Sequence, residues 1–288
     1  YTYLTSAPEY PYQMYWQYMQ NGYQPQYIQN TFHLNLSGGN FSEIAYLAGM
    51  SATEWSWSPV AADFDNDGET DLYITNGIPA ATNDLDYIKF ISNQQIQMRL
   101  AEGMDSEDMD LIHKIPTKKT TNYFFQNQGD LTFRNRSSDW IKMETSFSNS
   151  ALAADFDNDG DLDLVVNNID EKAYLLENKS EKVSPDYHYL KVSLKDNTRN
   201  IDAVGGRVLV FQNDKTMMRE KKYTNGYLSG NALPLHFGLG SSAIIDSVVV
   251  IWPGGYREVL TGVKPNHELI IEKSNAAKPS LQKQDRGL

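Results

Sequence analysis

A 48-residue segment of this chain occurs twice. Residues 30–77 fall on residues 122–169 at an offset of 92 without a gap, and 18 of the 48 positions are identical. Ala61 to Gly68 reappears residue for residue as Ala153 to Gly160, and Asn30, Phe32, Asn35 and Phe41 return as Asn122, Phe124, Asn127 and Phe133. A repeat of this kind restricts the fold to architectures assembled from supersecondary units that pack on one another. Within each unit, β-prone runs alternate with Gly- and Asn-containing turns. Examples are Thr31–Leu36, Pro59–Phe64 and Leu72–Thr75, then Tyr123–Gln126, Leu152–Phe156 and Leu164–Val166. The spacing predicts an all-β unit of short strands. Ala173 to Asn178 resembles Asn122–Asn127 and begins a third, partial unit.

Both units contain the loop D-x-D-N-D-G-x-x-D. The first holds Asp63, Asp65, Asp67, Glu69 and Asp71, and the second holds Asp155, Asp157, Asp159, Asp161 and Asp163. Acids at positions 1, 3 and 5 converge when the chain turns tightly, and Gly68 and Gly160 at position 6 permit that turn. Position 7 offers a backbone carbonyl and position 9 closes the ring. About five protein oxygens plus water suit calcium, and the lack of His or Cys at the loops points away from zinc and copper. We therefore expect two calcium sites. Carboxylates crowded to within ~5 Å repel by a few kcal/mol per pair at an effective dielectric of ~20, so the loops call for a cation. An EF-hand is excluded, because loop position 12 is Ile74 or Val166 instead of a bidentate Glu.

The charge balance agrees. The chain of 288 residues has 37 acidic and 25 basic side chains, net −12, and the ten loop acids account for all but 2 of that excess. No basic stripe is present to meet phosphates, which excludes nucleic acid as a partner. No apolar run approaches a membrane span, so no transmembrane segment is expected. Cysteine is absent, which removes disulfides, thiolate metal sites and Cys nucleophiles.

The predicted organisation has four parts. Residues 1–29 form a helical, aromatic segment, with the helix over Pro8–Gln20. Residues 30–178 hold the repeats, interrupted at about 79–119 by an insertion whose apolar spacing predicts two helices, the second from Ser106. After a polar linker, Lys179–Pro185, residues 186–273 read as seven strands of a β-sandwich: His188–Leu194, Arg207–Gln212, Met217–Tyr223, Leu233–Phe237, Ile245–Trp252, Tyr256–Leu260 and Glu268–Glu272. Residues 274–288 are polar and form a tail.

The two acidic loops, each preceded by Ala-Ala and followed by Leu, resemble the FG-GAP/VCBS repeats of integrin-type β-propellers. That resemblance implies roughly one blade per repeat, with calcium held between two strands. The C-terminal part resembles the ASPIC/UnbV domain through Asp202–Val208, Asn225–Ser229, His236–Gly240 and Val250–Gly255, although Gly206 stands where the family usually has Ala. The order of the two modules implies a Bacteroidetes-like surface protein, extracellular and associated with the outer membrane of a Gram-negative cell. The full expectation is an all-β chain of partial propeller blades with calcium-binding hairpin loops and a helical insertion, followed by a β-sandwich-like domain. Two and a fraction repeats do not close a propeller. The chain is therefore expected to pack against further blades of a longer polypeptide or against partner proteins of a surface complex.

No catalytic residue is assigned. The chain has no HExxH, P-loop or G-x-S-x-G motif, and a carboxylate holding a metal is a poor general acid. His236 is expected to be a packed, hydrogen-bonded histidine, and Trp252 a core residue before a turn. Trp55, Trp57, Tyr227 and Trp252 are the candidates for aromatic contact with a glycan. The favoured reading is a non-catalytic, calcium-stabilised extracellular binding or scaffold protein in a surface assembly for nutrient or glycan capture. The alternatives are a carbohydrate-active enzyme with its site on missing blades, and a calcium-dependent adhesion module.

Overall fold

The structure is a computed structural model that describes residues 12–23, 29–82, 84–93, 114–142 and 144–273, together with 96 and 98. It is all-β, with five sheets. The described residues begin with helix α1 (Tyr12–Gln20), and Tyr18 packs edge-on against Tyr23. A two-stranded hairpin follows, β1 (His33–Asn35) and β2 (Phe41–Glu43), and then the single turn α2 (Ala45–Ala48), closed by Gly49 in the left-handed region. Strands β3 (Ser56–Ala62) and β4 (Asp71–Asn76) flank the first acidic loop.

In the insertion, α3 (Leu85–Ile91) starts where the Asp84 carboxylate accepts from the amides of Asp86 and Tyr87. That side-chain cap satisfies two of the donors a helix start leaves open. The second expected helix, from Ser106, lies outside the described residues. The stem of the insertion is closed by a bridge between Ile78 and Lys118. The second unit contributes β5 (Tyr123–Asn127), β6 (Phe133–Asn135), the turn α4 (Ser137–Trp140), β7 (Ser148–Ala154) and β8 (Asp163–Asn168), and β9 (Tyr174–Leu176) opens the third.

The sheets do not follow the boundaries of the repeats. One antiparallel sheet has the order β3-β4-β5-β6 and the next β7-β8-β9. Each therefore joins the second half of one repeat to the first half of the next. The expectation of one blade per repeat holds in number but not in phase. The cause is local: Leu72, Tyr73 and Ile74 pair with Phe125, Phe124 and Tyr123 across the junction. Side chains alternate across that strand. Phe124 faces Val60, Tyr73, Leu164 and Val166 between the two sheets, while Phe125 faces Met50 and Ile74 on the opposite side.

A buried polar seam crosses the same layer. Asn122 accepts from the Asn76 amide at 2.8 Å and donates to Tyr73 Oη and Ser148 Oγ, both at 2.9 Å. The repeat reproduces a serine-to-asparagine bond across each hairpin, Ser56 to Asn76 and Ser148 to Asn168.

Where a polar linker was expected, the turn α5 (Ser180–Val183) leads into the sandwich. All seven expected strands form: β10 (His188–Lys195), β11 (Arg207–Gln212), β12 (Lys215–Glu220), β13 (Leu235–Gly240), β14 (Ser247–Ile251), β15 (Arg257–Leu260) and β16 (Glu268–Glu272). They make two sheets, β13-β10-β16 and β12-β11-β14-β15, and β16 runs parallel to β10. The core between them contains Leu190, Val192, Val208, Val210, Phe237, Val248, Val250 and Trp252. The turn after Trp252 places Gly254 and Gly255 at positive φ, 93° and 87°, which supplies the physical reason for Pro-Gly-Gly there.

Replacing Asn122 by Ala would take the acceptor from the buried Asn76 amide and remove the bonds to Tyr73 Oη and Ser148 Oγ. We expect a loss of about 3 kcal/mol, measured by urea unfolding, with an unchanged m-value.

Candidate metal centre

The two acidic loops are superimposable in design. Position 4 is left-handed in both, Asn66 at φ 59° and Asn158 at φ 64°, and so is position 6, Gly68 at 85° and Gly160 at 101°. Asn tolerates this region and Gly has no penalty there, which is why N-D-G follows the second acid. The position 9 carboxylate clamps the turn from behind. Asp71 accepts from the amides of Phe64 and Asn127, and Asp163 accepts from those of Phe156 and Asn178. Asn127 and Asn178 therefore lock each loop to the first strand of the next repeat. Sequence reading noted these asparagines as repeat markers without a role.

Inside the loops the acids divide unequally. Oxygens of Asp63, Asp65 and Asp71 gather within 4.8 Å of one another in the first loop. Asp67 stands beside them with its carboxylate on the Glu69 amide, and Glu69 turns away to an ion pair with Lys215 at 2.8 Å. In the second loop the group is Asp155, Asp157 and Asp159. Asp155 is drawn to Lys191 Nζ at 2.7 Å, and Asp163 stays behind in its clamp. Asp161 points out of the loop to the amide and hydroxyl of Ser180. The oxygens nearest one another are those of positions 1, 3 and 9 in the first loop and of positions 1, 3 and 5 in the second.

The residues present suit a calcium ion. Asp63 is 1 % exposed, and its Oδ2 accepts from the Gly68 amide while its Oδ1 has no hydrogen-bond partner. Asp155 Oδ1 is likewise buried without a partner. A buried orphaned carboxylate oxygen is costly, and a hard cation relieves that cost with oxygen ligands alone. The charges make the same point. Burial, then Asp67, Asp71 and Asp65, push the Asp63 carboxyl well above its ordinary range. Burial and Asp65 raise Asp71 to about 8, and burial raises Asp67 and Asp159.

The sandwich packs directly on both loops, a feature with no local signature in the sequence. A Cβ on Gly238 of β13 would lie 2.1 Å from Asp63 Oδ2, and one on Gly160 would lie 1.9 Å from the Tyr189 ring of β10. Only glycine at each place lets the two bodies meet. The Gly240 amide donates to the Asn66 carbonyl, and His236 Nε2 and Asn66 Nδ2 both reach the Gly160 carbonyl, at 3.1 and 3.2 Å. Basic side chains of the sandwich face the acids: Lys215 at Glu69, Lys191 at Asp155, and Arg219 on Thr70 Oγ1. Between them lies a cleft of about 450 Å3, lined by Asp63, Asp155, Lys191, Arg219 and His236 among others. Farther along the seam, the Tyr227 amide donates to Ser58 Oγ and the Tyr227 ring packs on Trp57 at 5.4 Å. Of the four aromatic glycan candidates, Tyr227 is exposed and Trp55 and Trp57 are half-buried. Trp252 is withdrawn from that set, because it lies in the sandwich core with its indole N–H on Glu258.

His236 is buried as expected, with its ring nearly parallel to Tyr189. Burial pushes its pKa down to about 4; the Gly160 carbonyl and Asp155 oppose this, and Arg219 and Lys191 add to it. A neutral His236 supports the fold fully above the ordinary histidine pKa near 6.5. That support is lost as pH falls from about 6.5 to about 4. In calcium-saturated buffer we expect up to ~3 kcal/mol of acid destabilisation over this window to disappear in His236→Gln, read from urea midpoints at each pH.

Comparison with known families agrees with this architecture. A model of the FG-GAP-like repeat matches residues 18–74 and 109–166, and a model of the ASPIC and UnbV domain matches residues 196–278. No curated protein matches the chain. FG-GAP-like repeats are typical of extracellular proteins, and both families are generally non-catalytic. Among the described residues, no helix is long and apolar enough to cross a membrane. With its blades, its acidic loops and its terminal sandwich all accounted for, the chain carries FG-GAP-like repeats followed by an ASPIC and UnbV domain.

Proposed function

We propose that this protein is a non-catalytic extracellular scaffold whose two repeat loops bind calcium and thereby hold the sandwich on the blades. The observation that carries the reading is the orphaned, buried oxygen at the first position of each loop, Asp63 Oδ1 and Asp155 Oδ1, at the seam where the sandwich docks. Calcium would supply charge neutralisation and a common anchor for acids that otherwise repel. Asp63, Asp65 and Asp71, with Asp67 alongside, would hold one ion, and Asp155, Asp157 and Asp159 the other. The flanking Lys191, Lys215 and Arg219 offset part of the negative charge from the sandwich side.

The wider setting belongs to the same proposal. The domain limits are residues 30–178 for the blades and 186–273 for the sandwich. The partners are further blades or proteins of a bacterial outer-membrane surface assembly, and the role is nutrient or glycan capture. The hairpin β1–β2 supports this, because its repeat equivalent, β5–β6, completes a sheet begun by the preceding unit. Isolation from the native membrane in mild detergent, followed by mass spectrometry of intact species, would test it. Stoichiometric partners or a longer polypeptide support the assembly, and a solitary species that turns over a glycan defeats it.

Calcium binding has its own test. Each saturated site should add about 2.7 kcal/mol at free calcium of 100 times its Kd, so chelation should lower the melting temperature. Asp63→Asn removes a buried charge. We expect its calcium-free form to melt no lower than the calcium-free wild type, while its calcium-induced rise shrinks to roughly that of one site. An equal rise in both proteins would remove the first loop from the reading.

A further inference from the structure

The position 7 acid sets the second loop apart. In the first loop this residue, Glu69, is neutralised by Lys215. In the second loop it is Asp161, which is 1 % exposed, and no basic side chain among the described residues meets it. Its Oδ2 takes the amide and hydroxyl of Ser180, and its Oδ1 has no partner. The neighbouring group is another acid. Glu181, on α5, places one oxygen against Lys182 and leaves the other, Oε2, buried without a partner. Oxygens of Asp159, Asp161 and Glu181 lie within 4.8 Å of one another.

Two buried carboxylate oxygens without donors, beside a third acid, form a site for positive charge. We propose that Asp159, Asp161 and Glu181 bind a further divalent cation, calcium by its all-oxygen ligands, with Asp159 shared between this ion and the one in the second loop. The site opens on a cavity of about 260 Å3 lined by Asp159, Ser180, Glu181, Tyr187, Tyr189 and Asn266. This leaves room for the waters that complete a calcium shell. Glu181 comes from the connector, while Tyr189 and Asn266 come from the sandwich and Asp159 from the blade. The ion therefore ties the connector to the blade, beside a cavity that the sandwich also lines. The first loop has no such site, because Lys215 already occupies the corresponding role. The inference rests on the loop reading only through Asp159; Asp161 and Glu181 lie outside the group that holds the second loop's ion.

Native mass spectrometry of the whole chain in calcium, together with calcium titration calorimetry, tests the site. The expected counts are three ions in the wild type, two in Glu181→Gln and three in the control Glu69→Gln. Limited proteolysis between residues 179 and 186 is the second readout. Calcium should protect this connector in the wild type, and the protection should fall at least tenfold in Glu181→Gln while far-UV circular dichroism stays unchanged. Two ions in both wild type and Glu181→Gln would overturn this site and leave the loops intact. No bound ion in any of the proteins would overturn the loop sites as well. Three ions in Glu181→Gln would show that the extra ion sits elsewhere and would also overturn the proposal.

Discussion

Crowded negative charge at a buried seam governs this molecule. Each acidic turn brings several carboxylates to one place, and the sandwich meets the first acid of each, Asp63 and Asp155, while Asp157 and Asp159 of the second turn stay exposed. Water would normally screen such a cluster. At the buried first acids that screening is replaced by basic side chains, since Lys191, Lys215 and Arg219 face the loops from across the seam. The fold of either half is ordinary β packing around apolar cores. Their union is an electrostatic matter, and the close fit of Gly160 to Tyr189 and of Gly238 to Asp63 shows how little space separates them.

This arrangement gives the repeat motif two jobs. The front of each loop presents oxygens toward the seam. The back, through Asp71 or Asp163, holds the amide of the next repeat's Asn127 or Asn178. A change in the loop therefore reaches in two directions, into the sandwich and into the neighbouring sheet. Asn122 carries the same coupling deeper, since it bonds Asn76 on one sheet and Ser148 on the next.

Much of this was legible from residue order. The loops, their left-handed glycines, the seven sandwich strands and the core placement of Trp252 all follow from local rules of turn chemistry and alternation. The parts that were not legible are contacts between residues far apart in the chain. Nothing around His236 announces that it will meet Gly160, and nothing around Lys191 announces Asp155. Nothing around Gly238 announces that Asp63 will lie against it. The strand phase was hidden for a related reason. Self-similarity gives the period of a repeat but not where each sheet starts, and only the pairing of Leu72–Ile74 with Tyr123–Phe125 decides that. Glu181 escaped notice because it belongs to a connector and to no motif.

The offset between repeat and sheet has a geometric consequence for copy number. Because every blade borrows its outer strands from the following unit, the chain behaves like a row of overlapping tiles. Insert or delete one whole unit, cut at equivalent points of two repeats, and the overlaps re-form with every strand still matched to a partner of the right kind. Array length can then change in unit steps without creating a new sheet edge inside the array. Beside the sandwich the tiling stops at β9, whose sheet has three strands, and there the chain departs through α5.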